Sequence, residues 1–377
     1  MNAVTRYYFD HNATTPVSPE VFQAMAPLMT TVFGNASSIH QFGQEARGEL
    51  DRARRTVGAT LGAKAEEIVF TGGGTEADNM AIFGTTGHVV TTTVEHPAVL
   101  QAAGQLPEVT FVNVDGRGVV DPQSVRAAIR PGTTLISVMH VNNELGVIQP
   151  VREIGEIARE AGVLFHSDGV QAMGKLPVNV GQLGVDLYSI SAHKIYGPKG
   201  IGALYIRKGA ELRPLLYGGP HERKMRAGTE NVAGAVGFGR AAEWVIEESA
   251  AEAARQSALR DRLEQGILAG VAGAHVNGAG ASRVGNTSNI RFDGIDSEPL
   301  LIALDLQGYA VSSGSACSSG ATEPSHVLAA IGLTREQARS SVRFSLGRSN
   351  TLEQVDSLID AVVQVVTRLR KLAPAYV

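Results

Sequence analysis

The sequence predicts an α/β protein: a large, mostly parallel sheet domain joined to a smaller α+β domain. Through the first half, short apolar runs alternate with helical periodicity, the pattern of right-handed βαβ units. The last third changes texture, with separated strands between helices. At 377 residues the chain exceeds what one small core organises. The expected division is a large domain over 15–250 and a small one formed by 1–14 and 251–377.

Tyr7 to Phe9 reads as a short aromatic strand running into the polar turn Asp10-His11-Asn12-Ala13-Thr14-Thr15-Pro16. Gln44 to Leu61 carries apolar residues at helical spacing among many charges and reads as an amphipathic helix. Ile68-Val69-Phe70 is a buried strand, followed by Thr71-Gly72-Gly73-Gly74-Thr75-Glu76-Ala77 and a helix to Phe83. A glycine-rich strand-to-helix turn presents bare N–H groups at the positive end of a helix, which suits a phosphate. The same residues fit the dinucleotide fingerprint, with Glu95 near the spacing of its ribose-binding acid. Phosphate binding is therefore expected here with the ligand open, a plain tight turn being the bland alternative.

Strands follow at His88 to Val94, Val109 to Val114, Leu135 to Val141 and Val163 to His166, with a helix over Val151 to Glu160. In parallel sheets functional groups gather beyond the strand carboxyl ends. His96, Asn143, Asp168 and Gln171 each fall just past such an end. So does Lys194, in Ser191-Ala192-His193-Lys194-Ile195-Tyr196-Gly197-Pro198, between strands at Val185 to Ile190 and Ile201 to Ile206. A lone lysine in a loop is ordinarily a surface residue. Several polar groups at one sheet edge favour a site in which desolvation frees the amine for Schiff-base chemistry.

A long helix is expected over Ala233 to Leu268, after the polar loop Tyr217 to Thr229. The smaller domain then has a strand at Thr287 to Phe292, a helix at Ser297 to Leu306, a strand at Val342 to Ser345 and a helix after Thr351. Within it, Ser312-Ser313-Gly314-Ser315-Ala316-Cys317-Ser318-Ser319-Gly320 sets a thiol among small polar residues. A free cysteine is usually buried and inert; one in such a loop reads as accessible and reactive.

Hydrophobic content of 44% and charged content of 19% are those of an ordinary globular protein, and a net charge of −4 gives no reason to expect nucleic acid or an anionic membrane as partner. No apolar run is long enough to span a bilayer, and Met1 to Asp10 is too polar for a signal peptide. One cysteine excludes an intrachain disulfide and a cysteine-only metal site. No metal is expected, and the expected compartment is a reducing cytoplasm.

Taken together, His140-Val141-Asn142-Asn143-Glu144, Ser191-Ala192-His193-Lys194, Ser312 to Cys317 and Arg343-Phe344-Ser345-Leu346-Gly347-Arg348 make the chain resemble the cysteine desulfurases of the NifS/IscS type. These are fold-type I pyridoxal 5'-phosphate enzymes of the class V aminotransferase family. The resemblance covers nearly the whole chain. It implies that Lys194 holds the cofactor covalently, Asp168 pairs with its ring nitrogen, Gln171 meets its ring hydroxyl and His96 stacks on the ring. Gly74, Thr75, Ser191 and His193 hold the phosphate, and Thr229 reaches the phosphate of the neighbouring subunit of a homodimer. The same resemblance implies that Asn143, also a cofactor-binding residue, and Arg343 bind the carboxylate of L-cysteine, and that Cys317 takes its sulfur as a persulfide, releasing alanine. A sulfur-acceptor protein, such as an iron–sulfur scaffold, is the implied partner.

Two departures stand out. Gly218-Gly219-Pro220 replaces the family's run of three glycines, which stiffens that loop. The sequence also ends at Ala373-Pro374-Ala375-Tyr376-Val377, short of the tail with which housekeeping members dock the scaffold. A selenocysteine lyase or aminotransferase is the alternative that keeps the cofactor. A nicotinamide oxidoreductase leaves Lys194, Asp168 and Cys317 without roles, and a non-enzymatic sulfur carrier needs no lysine site.

Overall fold

The computed structural model describes residues 5–313 and 324–372. The chain opens with strand β1 (Tyr7–Tyr8) and helices α1 (Pro19–Thr30) and α2 (Gln41–Thr60). Alternation then runs β2 (Ile68–Thr71), α3 (Gly74–Phe83), β3 (His88–Thr92), α4 (Pro97–Ala103), β4 (Val109–Val112), α5 (Pro122–Ala128) and β5 (Thr133–Ser137). It continues through α6 (Val151–Ala161), β6 (Leu164–Asp168), α7 (Val180–Leu183), β7 (Leu187–Ser191) and β8 (Gly202–Ile206). The long α8 (Val232–Gly270) leads to β9 (Ala274–Val276), β10 (Thr287–Phe292), α9 (Ser297–Leu306) and β11 (Tyr309–Ala310). The last elements are α10 (His326–Ala330), α11 (Arg335–Arg339), β12 (Ser341–Ser345) and α12 (Leu352–Leu372).

The large sheet has seven strands in the order β2-β8-β7-β6-β5-β3-β4. Every pair from β7 to β4 is parallel, whereas β8 runs against both β7 and β2. The carboxyl ends of β2, β3, β5, β6 and β7 therefore share one edge. Helices cover both faces, so β2, β3 and β7 are buried along their whole length; their residues are apolar or hydroxyl except His88, whose ring nitrogens lie 2.8 Å from the Thr133 and Thr110 hydroxyls. A second, antiparallel sheet runs β12-β10-β9.

Helix α8 ties two cores together. Its first half places Val232, Ala235, Phe238 and Ala242 in the core of the large sheet. Its second half gives Leu259, Leu263 and Ile267 to a core with Phe9, Ile290, Phe292, Phe344 and the inner face of α12.

The expected strand Leu135 to Val141 stops at Ser137. The chain beyond it stays beside β6, with Val138 N donating to the His166 carbonyl at 3.1 Å and His140 N to the Asp168 carbonyl at 2.8 Å. Met139 N instead donates to the buried carboxyl of Glu95. A side chain has taken that backbone donor, and the ladder ends.

Candidate active site

The shared strand edge collects the residues expected to act. Gly74 and Thr75 are the first residues of α3, behind an N-cap at Gly73 with φ of 152°. A β-carbon at Gly74 would meet Val170 Cγ2 at 2.8 Å, and one at Gly202 would meet the Gly73 backbone at 2.7 Å. The glycines thus let α3 start hard against β8 and the turn that follows β6, with its first N–H groups bare. A cavity of about 670 Å³ opens there, lined by Thr14, Gly72, Gly73, Gly74, Thr75, Asn79, Ser191, His193 and Lys199.

Ser191 Oγ is buried without a hydrogen-bond partner, an orphan that a phosphate oxygen would satisfy. His193 Nδ1 lies 3.1 Å from Thr14 Oγ1. Burial, then the charge of Lys194, lowers the His193 pKa to about 4. The bare helix end, the orphan hydroxyl and the cavity between them fit the phosphate of pyridoxal 5'-phosphate.

Lys194 directly follows His193, which lines this cavity, and its charge bears on Asp168. Antiparallel pairing of β7 with β8 makes residues 192–201 a hairpin loop, and Lys194 closes a 3₁₀ turn over Ala192–Lys194. Its Nζ donates to the carbonyls of Asn12 and, at 2.8 Å, Ala13. Two residues later Tyr196 has φ of 67°, a left-handed backbone unusual for an aromatic residue. Tyr196 N donates to Thr15 Oγ1 at 2.8 Å, its hydroxyl accepts from Arg348 N at 2.7 Å, and its ring meets Trp244 edge-on. Packing on three sides holds the strained turn that aims Lys194.

Asp168 ends β6 and is almost fully buried. Its Oδ1 accepts from Val170 N at 2.9 Å. Burial raises its pKa to about 6, against the pull of Val170 N and of the Lys194 charge. A cation set beside this carboxylate offsets that desolvation, as a protonated pyridine nitrogen would. His96 caps α4 through Nδ1, which accepts from Ala98 N at 3.1 Å. Burial, with Lys194 and His326, lowers its pKa to about 4, so the ring is neutral with its proton on Nε2.

Arg343 lies on β12, from the other sheet. Its guanidinium is buried, with Nη2 donating to Asp10 Oδ1 at 2.7 Å and Nη1 to the Asn143 carbonyl at 3.1 Å. Asn143 is thereby brought beside Arg343. Gln171 Nε2 donates to the Asn12 carbonyl at 3.0 Å. Thr229 is exposed on the 217–230 loop and is not among the residues lining the cavity. Cys317 lies outside the described residues. The flanking positions are fastened at this edge: the Ser312 backbone pairs with that of Arg343, and Ser325 Oγ donates to Glu144 Oε2 at 2.6 Å.

Sequence reading missed Asp10, Asn12 and Lys175. Asn12 touches Lys194, Gln171, Asn143, Lys175, Thr287 and Asn286 at once. All of these partners lie more than a hundred residues away; the only local signal was the polar turn itself. Glu95, the ribose-acid candidate, is fully buried and accepts from Thr92 Oγ1 and Met139 N, so it has no route to a nucleotide. Among the described residues no cluster of His, Cys, Asp and Glu is grouped to hold a metal ion, and no helix is long and apolar enough to cross a membrane.

Residues 7–358 match the family model described as aminotransferase class-V. A protein named cysteine desulfurase IscS from Dictyoglomus turgidum is 47% identical, the alignment covering 97% of this chain and 96% of that one. Among solved structures, one described as a NifS-like protein superposes with a TM-score of 0.90 at 36% identity, covering 97% of this chain and all of that one. Another, described as SspA in complex with cysteine, gives 0.81 at 36% identity, covering 91% of this chain and 99% of that one. The chain belongs to the class-V aminotransferase family of pyridoxal 5'-phosphate enzymes, and within it to the cysteine desulfurases.

Proposed function

We propose that this cysteine desulfurase converts L-cysteine to L-alanine with Lys194, His96 and Cys317 as its reacting groups. The observation that carries the assignment is the convergence of Lys194, Asp168, His96 and the orphan Ser191 hydroxyl on one strand edge. The bound cofactor supplies an electron sink that labilises the bonds at the substrate's Cα. Gly74, Thr75, Ser191 and His193 hold its phosphate, Asp168 its ring nitrogen and Gln171 its ring hydroxyl. Arg343, braced by Asp10 and the Asn143 carbonyl, receives the substrate carboxylate as a planar fork together with Asn143.

Lys194 Nζ takes the proton from Cα, and neutral His96 moves protons on the substrate side. The Cys317 thiolate attacks the substrate sulfur, forming an S–S bond as the Cβ–S bond breaks. The electron pair left on carbon is protonated and becomes a C–H bond of the alanine methyl group. Alanine departs and Cys317 is left carrying a persulfide, ready for a sulfur-acceptor protein of iron–sulfur cluster assembly in the cytoplasm.

The enzyme works as a homodimer, with Thr229 completing the phosphate site of the neighbouring subunit. Phe22, Met29, Phe33, Ile39 and Phe42 support this, because all are exposed in the single chain and Ile39 is 94% accessible.

Peptide mass spectrometry after incubation with L-cysteine tests the chemistry. The wild-type peptide carrying Cys317 gains one sulfur atom, removable by reductant. Cys317→Ala still binds the cofactor and forms neither persulfide nor alanine. Alanine release at the wild-type rate from Cys317→Ala would rule out Cys317 as acceptor.

A further inference from the structure

Lys175 is a half-buried lysine that the chemistry above does not use. It follows Gln171 by one turn, and Gly174 between them has φ of 77°. A β-carbon at Gly174 would meet Ile195 Cγ2 at 2.9 Å, so this turn lies directly against the Lys194 loop. Lys175 Nζ donates to Asn12 Oδ1 at 2.9 Å and to Gln171 Oε1. The charged groups that bear on it are cations, Lys194 and Arg343.

We propose that Lys175 is a positioning residue for the cofactor ring, fixing which end of the Gln171 amide faces the ring oxygen. This rests on the reading that Gln171 meets the ring hydroxyl. The side-chain amide of glutamine has an accepting end and a donating end of nearly identical shape. An amine directs hydrogens toward its partners, so the atom of Gln171 turned to Lys175 is Oε1. Nε2 is then set on the opposite side, where one hydrogen goes to the Asn12 carbonyl and the second remains for the ring oxygen. With Lys175 gone, the amide is free to flip and present an acceptor to an acceptor.

Asn12 is fixed by the same amine. Its Oδ1 accepts from Lys175 and from Asn286 Nδ2 at 3.0 Å, which leaves its Nδ2 for the Asn143 carbonyl and Thr287. The Asn12 carbonyl accepts from both Gln171 Nε2 and Lys194 Nζ, so the residue whose side chain Lys175 holds touches both. Burial and the neighbouring cations push the Lys175 pKa well below its ordinary value.

The test is a double-mutant cycle read by cofactor dissociation constant and by the visible spectrum of the bound cofactor. Lys175→Met and Gln171→Ala each weaken cofactor binding about tenfold, and the double variant is within about threefold of the weaker single. Losses that multiply to about a hundredfold, or wild-type affinity in Lys175→Met, overturn the proposal. Wild-type affinity and spectrum in Gln171→Ala instead overturn the assignment of Gln171 itself.

Two further variants at position 175 separate orientation from packing, and they serve if the Met variant does not fold. Lys175→Gln has an amide able to donate or accept, dictates no orientation, and loses affinity. Lys175→Arg has only donors and retains affinity within about threefold. The reverse ranking overturns the proposal.

Discussion

Glu95 shows what one residue contributes away from the chemistry. Its carboxyl is fully buried, and burial raises its pKa from 4.5 to about 8, against hydrogen bonds from Thr92 and Met139. In the unfolded chain it ionises near 4.5. Between these values the folded state binds the extra proton, so its contribution to stability is complete below the unfolded pKa and is lost as pH rises through the folded one. The loss is on the order of a few kcal/mol. Glu95→Gln cannot ionise, so its thermal midpoint relative to wild type should climb steadily from pH 5 to pH 8. Parallel midpoint curves across that range would show that Glu95 is already ionised in the folded protein. Sequence offered this acid as a ribose-binding candidate, with the ligand left open, because spacing was the only information available. Lys194 and Asp168 were legible because glycines, hydroxyls and strand ends announce a loop within a few residues. Asn12 and Lys175 were not, since Asn12 pairs across 131 and 275 residues and Lys175 answers to Asn12 from 163 residues away.

At the scale of elements, the site is a set of strand ends held in register. The alternation of apolar runs and helices located those ends to within a few residues, because parallel strands buried on both faces are largely apolar. Their final positions depended on side chains that capture backbone donors, as Glu95 does at Met139. Glu222 does the same at Phe70 N while gripping Arg54 with both oxygens, at 2.5 and 2.7 Å. The turn around it carries Glu222, Arg223 and Lys224 at φ of 43°, 57° and 69°, directly after Pro220. No run of residue types in the loop foretells that conformation; the buried Arg54 pair holds it. Just past β6 lies a tight spot at Gly169, where a β-carbon would lie 2.0 Å from Tyr188 Cζ. Tyr188 is fully buried and its hydroxyl lies 2.7 Å from His140 Nδ1, so the ring has no room to yield. Gly169→Ala must therefore move the end of β6, and Asp168 with it. We expect a destabilisation of about 1–3 kcal/mol in denaturant unfolding, accompanied by weaker cofactor binding. Lost stability with unchanged cofactor affinity would mean that Asp168 is not the ring's partner.

At the scale of the whole molecule, one chain does not account for its own surface or for every residue of its proposed site. Phe33 and Phe42 have ring centroids 5.6 Å apart and are both largely exposed, and Ile39 between them is almost bare. Thr229 is likewise exposed, although the resemblance gives it a phosphate to hold. The proposed pairing of two copies resolves both facts: it covers the apolar side chains and brings Thr229 to a neighbour's α3. Burying three such side chains stabilises a dimer by several kcal/mol, at about 1.5–3 kcal/mol for each fully covered one. Phe33→Asp with Ile39→Asp should therefore convert the protein to monomers in sedimentation analysis without lowering its helix content. The monomer should bind the cofactor about tenfold more weakly, as expected for one lost charge-assisted hydrogen bond to phosphate. Thr229→Ala in the unaltered dimer should show a loss of the same size, and adding it to the monomeric variant should change nothing further. A monomer that binds cofactor as tightly as wild type would show that each chain completes its own phosphate site, whatever the apolar face then covers.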